Sequence, residues 1–84
     1  MAIGQKTTPG FRDPRYRTLI ERLAEERRSR GITQQELANR LGLHKQFVSR
    51  VEQGERRLDI IEFADFARAL GLRVSELMEE LDRP

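Results

Sequence analysis

From residue 13 onward the apolar positions recur at intervals of three and four, the spacing of one face of an α-helix, and no stretch of useful length alternates as a strand does. Five helices are predicted, and most have a recognisable start. Asp13 is placed to cap a helix whose first position is Pro14, where a missing N–H has no intrahelical role to lose. Tyr16, Leu19, Ile20, Leu23 and Ala24 supply its inner face, and Gly31 ends it. Thr33 and Glu36 have capping-box spacing, with Ile32 and Leu37 as the apolar staple around them, so a second helix is predicted from Gln34 to about Leu41. Beyond Gly42, Leu43 and His44, the pair Val48 and Val51 marks a third helix ending near Gln53 against Gly54. Asp59 with Glu62 repeats the box, Leu58 and Phe63 repeat the staple, and the helix they open closes at Gly71. Its Ile60, Phe63, Ala64, Phe66, Ala67 and Leu70 make it the most apolar segment and the expected central helix. Val74, Leu77, Met78 and Leu81 mark a short fifth helix.

The pattern predicts an all-α fold, a compact five-helix domain over residues 13–84. Residues 1–12 carry Gly4, Pro9 and Gly10 without an apolar period and are expected to form a flexible N-terminal arm. A chain of 84 residues suits one core. With no cysteine it has neither disulfides nor thiolate metal ligands, and no apolar run suggests a leader or a membrane span. A cytoplasmic protein is expected.

The net charge of +2 says little, but its distribution says more. Residues 1–58 hold 13 Lys or Arg against 7 Asp or Glu, while residues 59–84 hold 3 against 7. A basic part followed by an acidic one suits a protein that offers one face to phosphates and another to protein, although an unevenly charged, solvated surface reads the same way.

Two short helices joined by a three-residue turn containing glycine form the unit that places its second helix in the DNA major groove. Ala38 is small enough for close helix approach, Gly42 allows the bend, and Leu37, Leu41, Val48 and Val51 face the core. Lys45, Gln46, Ser49 and Arg50 are left outward, all able to hydrogen-bond with base edges or phosphates.

The strings ITQQELANRLGL, FVSRVEQGERR and ARALGL, in this order and spacing, resemble the lambda-repressor-like helix-turn-helix family of the Cro or XRE type from about Leu19 to Leu81. The resemblance implies that Gln34 contacts a phosphate and braces the start of the recognition helix, and that Lys45, Gln46 and Arg50 read base edges. It also implies that Arg27 and Glu52 bridge the first helix to the end of the third. Phe47 stands where many members carry a small or polar residue, and either touches a thymine methyl or folds onto the core. Ser49 either reaches DNA or stays solvated. His44 takes the N-cap of the third helix, where Ser or Thr caps better, and is expected near a phosphate. It has no second ligand spaced to make a metal site with it. Arg56 and Arg57 follow the recognition helix and lie along the DNA backbone or in solvent.

One histidine, no cysteine and no Gly-rich phosphate loop argue against an enzyme. The expected function is sequence-specific binding of double-stranded DNA, as a repressor, by a homodimer that needs no cofactor and no metal and shows no place for a small-molecule effector. Leu77, Met78 and Leu81 either form the dimer interface or close the core. The alternative is an antitoxin-type protein that binds a partner protein, for which only residues 1–12 are free to serve as the covering segment.

Overall fold

The computed structural model describes residues 12–83. They form α1 (Pro14–Ser29), α2 (Gln34–Leu41), α3 (Lys45–Gln53), α4 (Ile60–Ala69) and α5 (Val74–Asp82), with no strand among the described residues. The expected arm falls almost wholly outside them.

The helix starts are chemical rather than incidental. The Asp13 carboxylate accepts from the Arg15 amide at 2.9 Å, with Pro14 next to it in the first turn. Thr33 Oγ1 accepts from the Glu36 amide at 3.0 Å while the Thr33 amide donates to Glu36 Oε1 at 2.8 Å, closing the capping box. Asp59 and Glu62 close the second box at 2.7 and 2.9 Å. By contrast, His44 makes no side-chain cap to α3, and no acidic residue lies in that helix's first turn. Between α2 and α3 the bend falls on Gly42 at φ +68°, a left-handed conformation that a side chain would strain. The Gly42 amide returns to α2 carbonyls, and the Leu43 amide reaches Ala38 O at 2.9 Å.

Leu19, Ile20 and Leu23 of α1 meet Leu37 and Ala38 of α2, Val48 and Val51 of α3, Phe63, Phe66 and Ala67 of α4, and Leu77 of α5 in one core. Each large apolar side chain buried there contributes about 1.5–3 kcal/mol before conformational entropy is set against it. The closest packings run α1 on α3, α3 on α2, α2 on α4, α4 on α5 and α5 on α1, which is a ring. α4 buries Phe63, Phe66 and Ala67, and Leu70 at its C-cap is 1% exposed, but its first turn leaves the core, with Ile60 62% and Ile61 67% exposed, so the expectation of Ile60 among its core residues is corrected. On α5, Leu77 is 1% exposed and closes the core, Met78 packs half-buried against it, and Leu81 lies at the surface.

The contrast between the capped α2 and uncapped α3 predicts opposite mutational signs. Thr33→Ala should destabilise by about 1 kcal/mol, and His44→Ser should stabilise by a similar or smaller amount. The amide and hydroxyl of Thr33 hold the Glu36 carboxyl below the usual carboxylate range. A lowered folded value means that stability is present above the unfolded range and lost as pH falls through the lowered one, so the Thr33→Ala penalty should shrink in acid. Urea unfolding at neutral pH and near pH 3 measures all three effects.

Candidate nucleic-acid interface

The geometry of α3 is set from behind. Arg27 of α1 and Glu52 near the end of α3 are 11% and 13% exposed at their side chains. Arg27 Nε donates to Glu52 Oε2 at 2.7 Å and Nη2 donates to Oε1 at 3.0 Å, a two-bond fork. The third donor, Nη1, reaches Ile32 O at 2.8 Å, and Gln34 Nε2 donates to Glu52 Oε1 at 2.9 Å. One carboxylate thus ties α3 to α1 and to the first residue of α2. The bridge expected between Arg27 and Glu52 is present. Gln34, however, braces the end of α3 through Glu52, not its start, because its side chain turns toward the carboxylate that Arg27 has already oriented.

The segment after α3 is held as firmly. The Arg56 guanidinium lies 4.6 Å from the centroid of the Phe47 ring, pairs with Glu62 at 2.9 Å, and hydrogen-bonds the Arg57 carbonyl. Phe47 is half-buried against the core, its ring 6.2 Å from that of Phe66. Of the two roles open to Phe47, the structure shows the core-facing one, and Arg56 is spent on folding the loop. The Leu58 amide donates to Tyr16 Oη at 3.0 Å, which pins the loop to α1.

What faces outward is different in kind. Lys45, Gln46 and Arg50 are exposed and, among the described residues, make no side-chain hydrogen bond or ion pair. Arg57 is exposed on the same terms, and Ser49 is half-buried. His44 is exposed at the uncapped start of α3, where free amides and the positive end of the helix dipole attract an anion. Nine residues make α3 about 13.5 Å long, comparable with the roughly 12 Å width of the major groove. Gln53, which sequence reasoning passed over, is exposed and continues the Gln46 and Arg50 stripe at helical spacing, a signal the sequence did contain. No cluster of His, Cys, Asp or Glu among the described residues could hold a metal, and no helix is long and apolar enough to cross a membrane.

A short helix presented by a glycine turn, clasped from behind and polar in front, defines a helix-turn-helix nucleic-acid-binding protein. The chain belongs to the lambda-repressor-like helix-turn-helix DNA-binding family of the Cro or XRE type: the family model described as "Helix-turn-helix" matches residues 23–77. It is not a family of enzymes. The chain is 37% identical over 59 residues to the "Uncharacterized HTH-type transcriptional regulator y4dJ" of Sinorhizobium fredii (strain NBRC 101917 / NGR234), covering 70% of this chain and 77% of that one. It is also similar to a solved "XRE-family like protein" from Pseudomonas syringae pv. tomato str. DC3000, with 50% identity and a TM-score of 0.77 over 81% of this chain and 83% of that one.

The clasp yields a prediction that separates stability from geometry. Glu52→Ala strands the Arg27 cation in a largely buried site and should destabilise by about 3 kcal/mol or more. The double replacement Arg27→Met with Glu52→Leu should recover most of that loss and still bind DNA poorly, because the angle of α3 is no longer fixed. Denaturant unfolding paired with DNA-binding titrations would check it; full binding by the double variant would refute a geometric role.

Proposed function

We propose that the protein is a cytoplasmic, sequence-specific regulator of transcription that acts as a repressor, binding a near-palindromic operator as a homodimer. The observation that carries this reading is the outer face of α3. Lys45, Gln46 and Arg50 stand together without intramolecular partners on a helix whose other contacts are fully used in fixing its position. The printed description of the Sinorhizobium relative as a transcriptional regulator supports the same reading. Repression is the mode for which occupation of DNA suffices.

In this reading Arg50 donates two hydrogen bonds to guanine, Gln46 pairs with adenine, and Lys45 reaches a base edge or phosphate. His44 and the free amides of α3 meet one phosphate, and Arg57 meets another. Ser49 hydrogen-bonds where the backbone comes close. Gln34 holds its neighbours in place and is a phosphate contact through its own backbone amide. Phe47 and Arg56 support the surface from within.

One recognition helix covers too few base pairs for useful specificity, so two copies are needed, with their recognition helices about 34 Å apart. The apolar surface left by the fold is centred on Ile60 and Ile61, with Asp65 and Arg68 further along the same exposed face of α4 as Ile61. An interface on a two-fold axis must match itself, and an apolar pair beside one acid and one base can do so. A second copy of this chain is therefore the occupant.

Two experiments test these assignments. Arg50→Ala or Gln46→Ala should cost about 1–3 kcal/mol on the cognate site and relax preference at one base pair per half-site. Arg57→Ala should weaken binding to all sequences alike and flatten the salt slope by about one unit. Fluorescence anisotropy on a site selected from random duplexes, its single-base variants and unrelated DNA distinguishes them. Identical behaviour of Arg50→Ala and Arg57→Ala on every sequence would exclude α3 as the base reader. For assembly, Ile61→Glu should yield monomers by light scattering while Met78→Glu leaves the dimer intact; the reverse outcome returns the interface to α5.

A further inference from the structure

Arg17 of α1 lies across the end of α3. Its guanidinium packs so closely on Gly54 that a Cβ built there would collide with it, and Gly54 itself holds φ at +82°. Arg17 is half-buried, yet among the described residues its guanidinium meets no carboxylate and no hydrogen-bond acceptor. The other arginines withdrawn from solvent are all paired: Arg22 with Glu26 at 2.8 Å, Arg27 with Glu52 at 2.7 Å, and Arg56 with Glu62 at 2.9 Å. No carboxylate neutralises this cation, and the negative end of the α3 dipole, equivalent to about half a charge, offsets it only in part. A net positive charge remains.

Its place relative to the reading face decides what that charge can meet. Arg12, Arg17, Gln53 and Gly54 line one cleft, and Gln53 is the last residue of the stripe that begins at Gln46 and Arg50. A recognition helix touches base edges with its N-terminal residues, so its C-terminal end rises toward the sugar-phosphate backbone. That end would by itself repel DNA, since the carbonyl dipole is negative and Glu55 is exposed beside it, while Glu52 is already neutralised by Arg27. Arg17 reverses the sign at that point.

We propose that the cleft between Arg17 and Gln53 receives a backbone phosphate of the DNA duplex at the flank of each half-site, so that α1 contributes directly to the DNA footprint. This rests on the DNA-binding reading of α3. Arg12 lines the same cleft, and the backbone of Gly54, with φ at +82°, lets the Arg17 guanidinium lie directly against it.

The experiment compares wild type, Arg17→Ala, Arg17→Gln and Arg17→Lys on two probes, a 30-base-pair duplex selected with the wild-type protein and an unrelated duplex of equal length, across a series of salt concentrations. Both neutral variants should weaken binding to the two probes by a similar factor and flatten the salt slope by about one unit per bound chain, while Arg17→Lys keeps the slope. Ethylation of the flanking phosphate should inhibit the wild type and have no further effect on Arg17→Gln. A wild-type slope in both neutral variants overturns the inference, as does altered base preference with an unchanged slope, which would make Arg17 a positioning residue only. Should Arg17→Ala fail to fold, Arg17→Gln, which keeps the first part of the aliphatic stem and a polar end without the charge, carries the comparison. Failure of the wild-type protein to bind either duplex would instead overturn the DNA-binding reading itself.

Discussion

The carboxylate of Glu52 is where three helices are made to agree. It receives two hydrogen bonds from Arg27 of α1 and one from Gln34 of α2, and the same Arg27 holds the Ile32 carbonyl at the turn between those helices. At nine residues and without a side-chain cap, α3 is far too short to hold its shape alone. Its position is imposed from outside, by Val48 and Val51 in the core and by Glu52 in the clasp. A hydrophobic replacement of the ion pair could be as stable, but apolar packing tolerates sliding, whereas a forked pair with a third and fourth bond fixes direction. The arrangement reads as stability exchanged for a defined angle of presentation.

The basic residues divide along the same line. Arg27 and Arg56 are spent on building, paired with Glu52 and Glu62, while Lys45, Arg50 and Arg57 are left without partners on the outside. Arg56 and Arg57 show how local the division is. They are neighbours of the same chemistry, yet one lies over the Phe47 ring and the other is exposed. A net charge of +2 conceals this, because the field that DNA meets depends on which cations are already neutralised.

That division also marks the limit of what could be read before the structure. All five helices were legible, with α2 and α3 starting where expected, because capping boxes, Pro14 and the terminal glycines act over three or four residues and leave their spacing in the chain. The clasp between Arg27 and Glu52 was legible only through family resemblance, since 25 residues separate the partners. Three features were not legible. Ile60 looked like core because it fits the apolar period of α4, but a helix's first turn can project beyond the elements that would cover it. Gln34 was assigned to the wrong end of α3, since a side chain's partner depends on which neighbour has been oriented first. The seat of Arg17 on Gly54 brings together residues from two helices, and nothing in either local sequence announces it.

The two ends of α3 are therefore built to opposite specifications. Its C-terminal end is over-determined: Glu52 is clasped, Gly54 closes the helix, Tyr16 pins the loop through the Leu58 amide, and Arg17 lies across the last turn. Its N-terminal end is left open, with His44 in the cap position making no cap and no acid in the first turn. A protein selected only for stability would place Ser, Thr or Asp at that position and satisfy the free amides internally. Leaving them unsatisfied keeps their donors and the positive end of the dipole available to a phosphate at the point where the helix enters the groove. In the proposed DNA-binding reading, an anion bound there performs the capping that the chain withholds, docking on DNA and completing α3 are one event, and the clasped rear of the helix sets its angle.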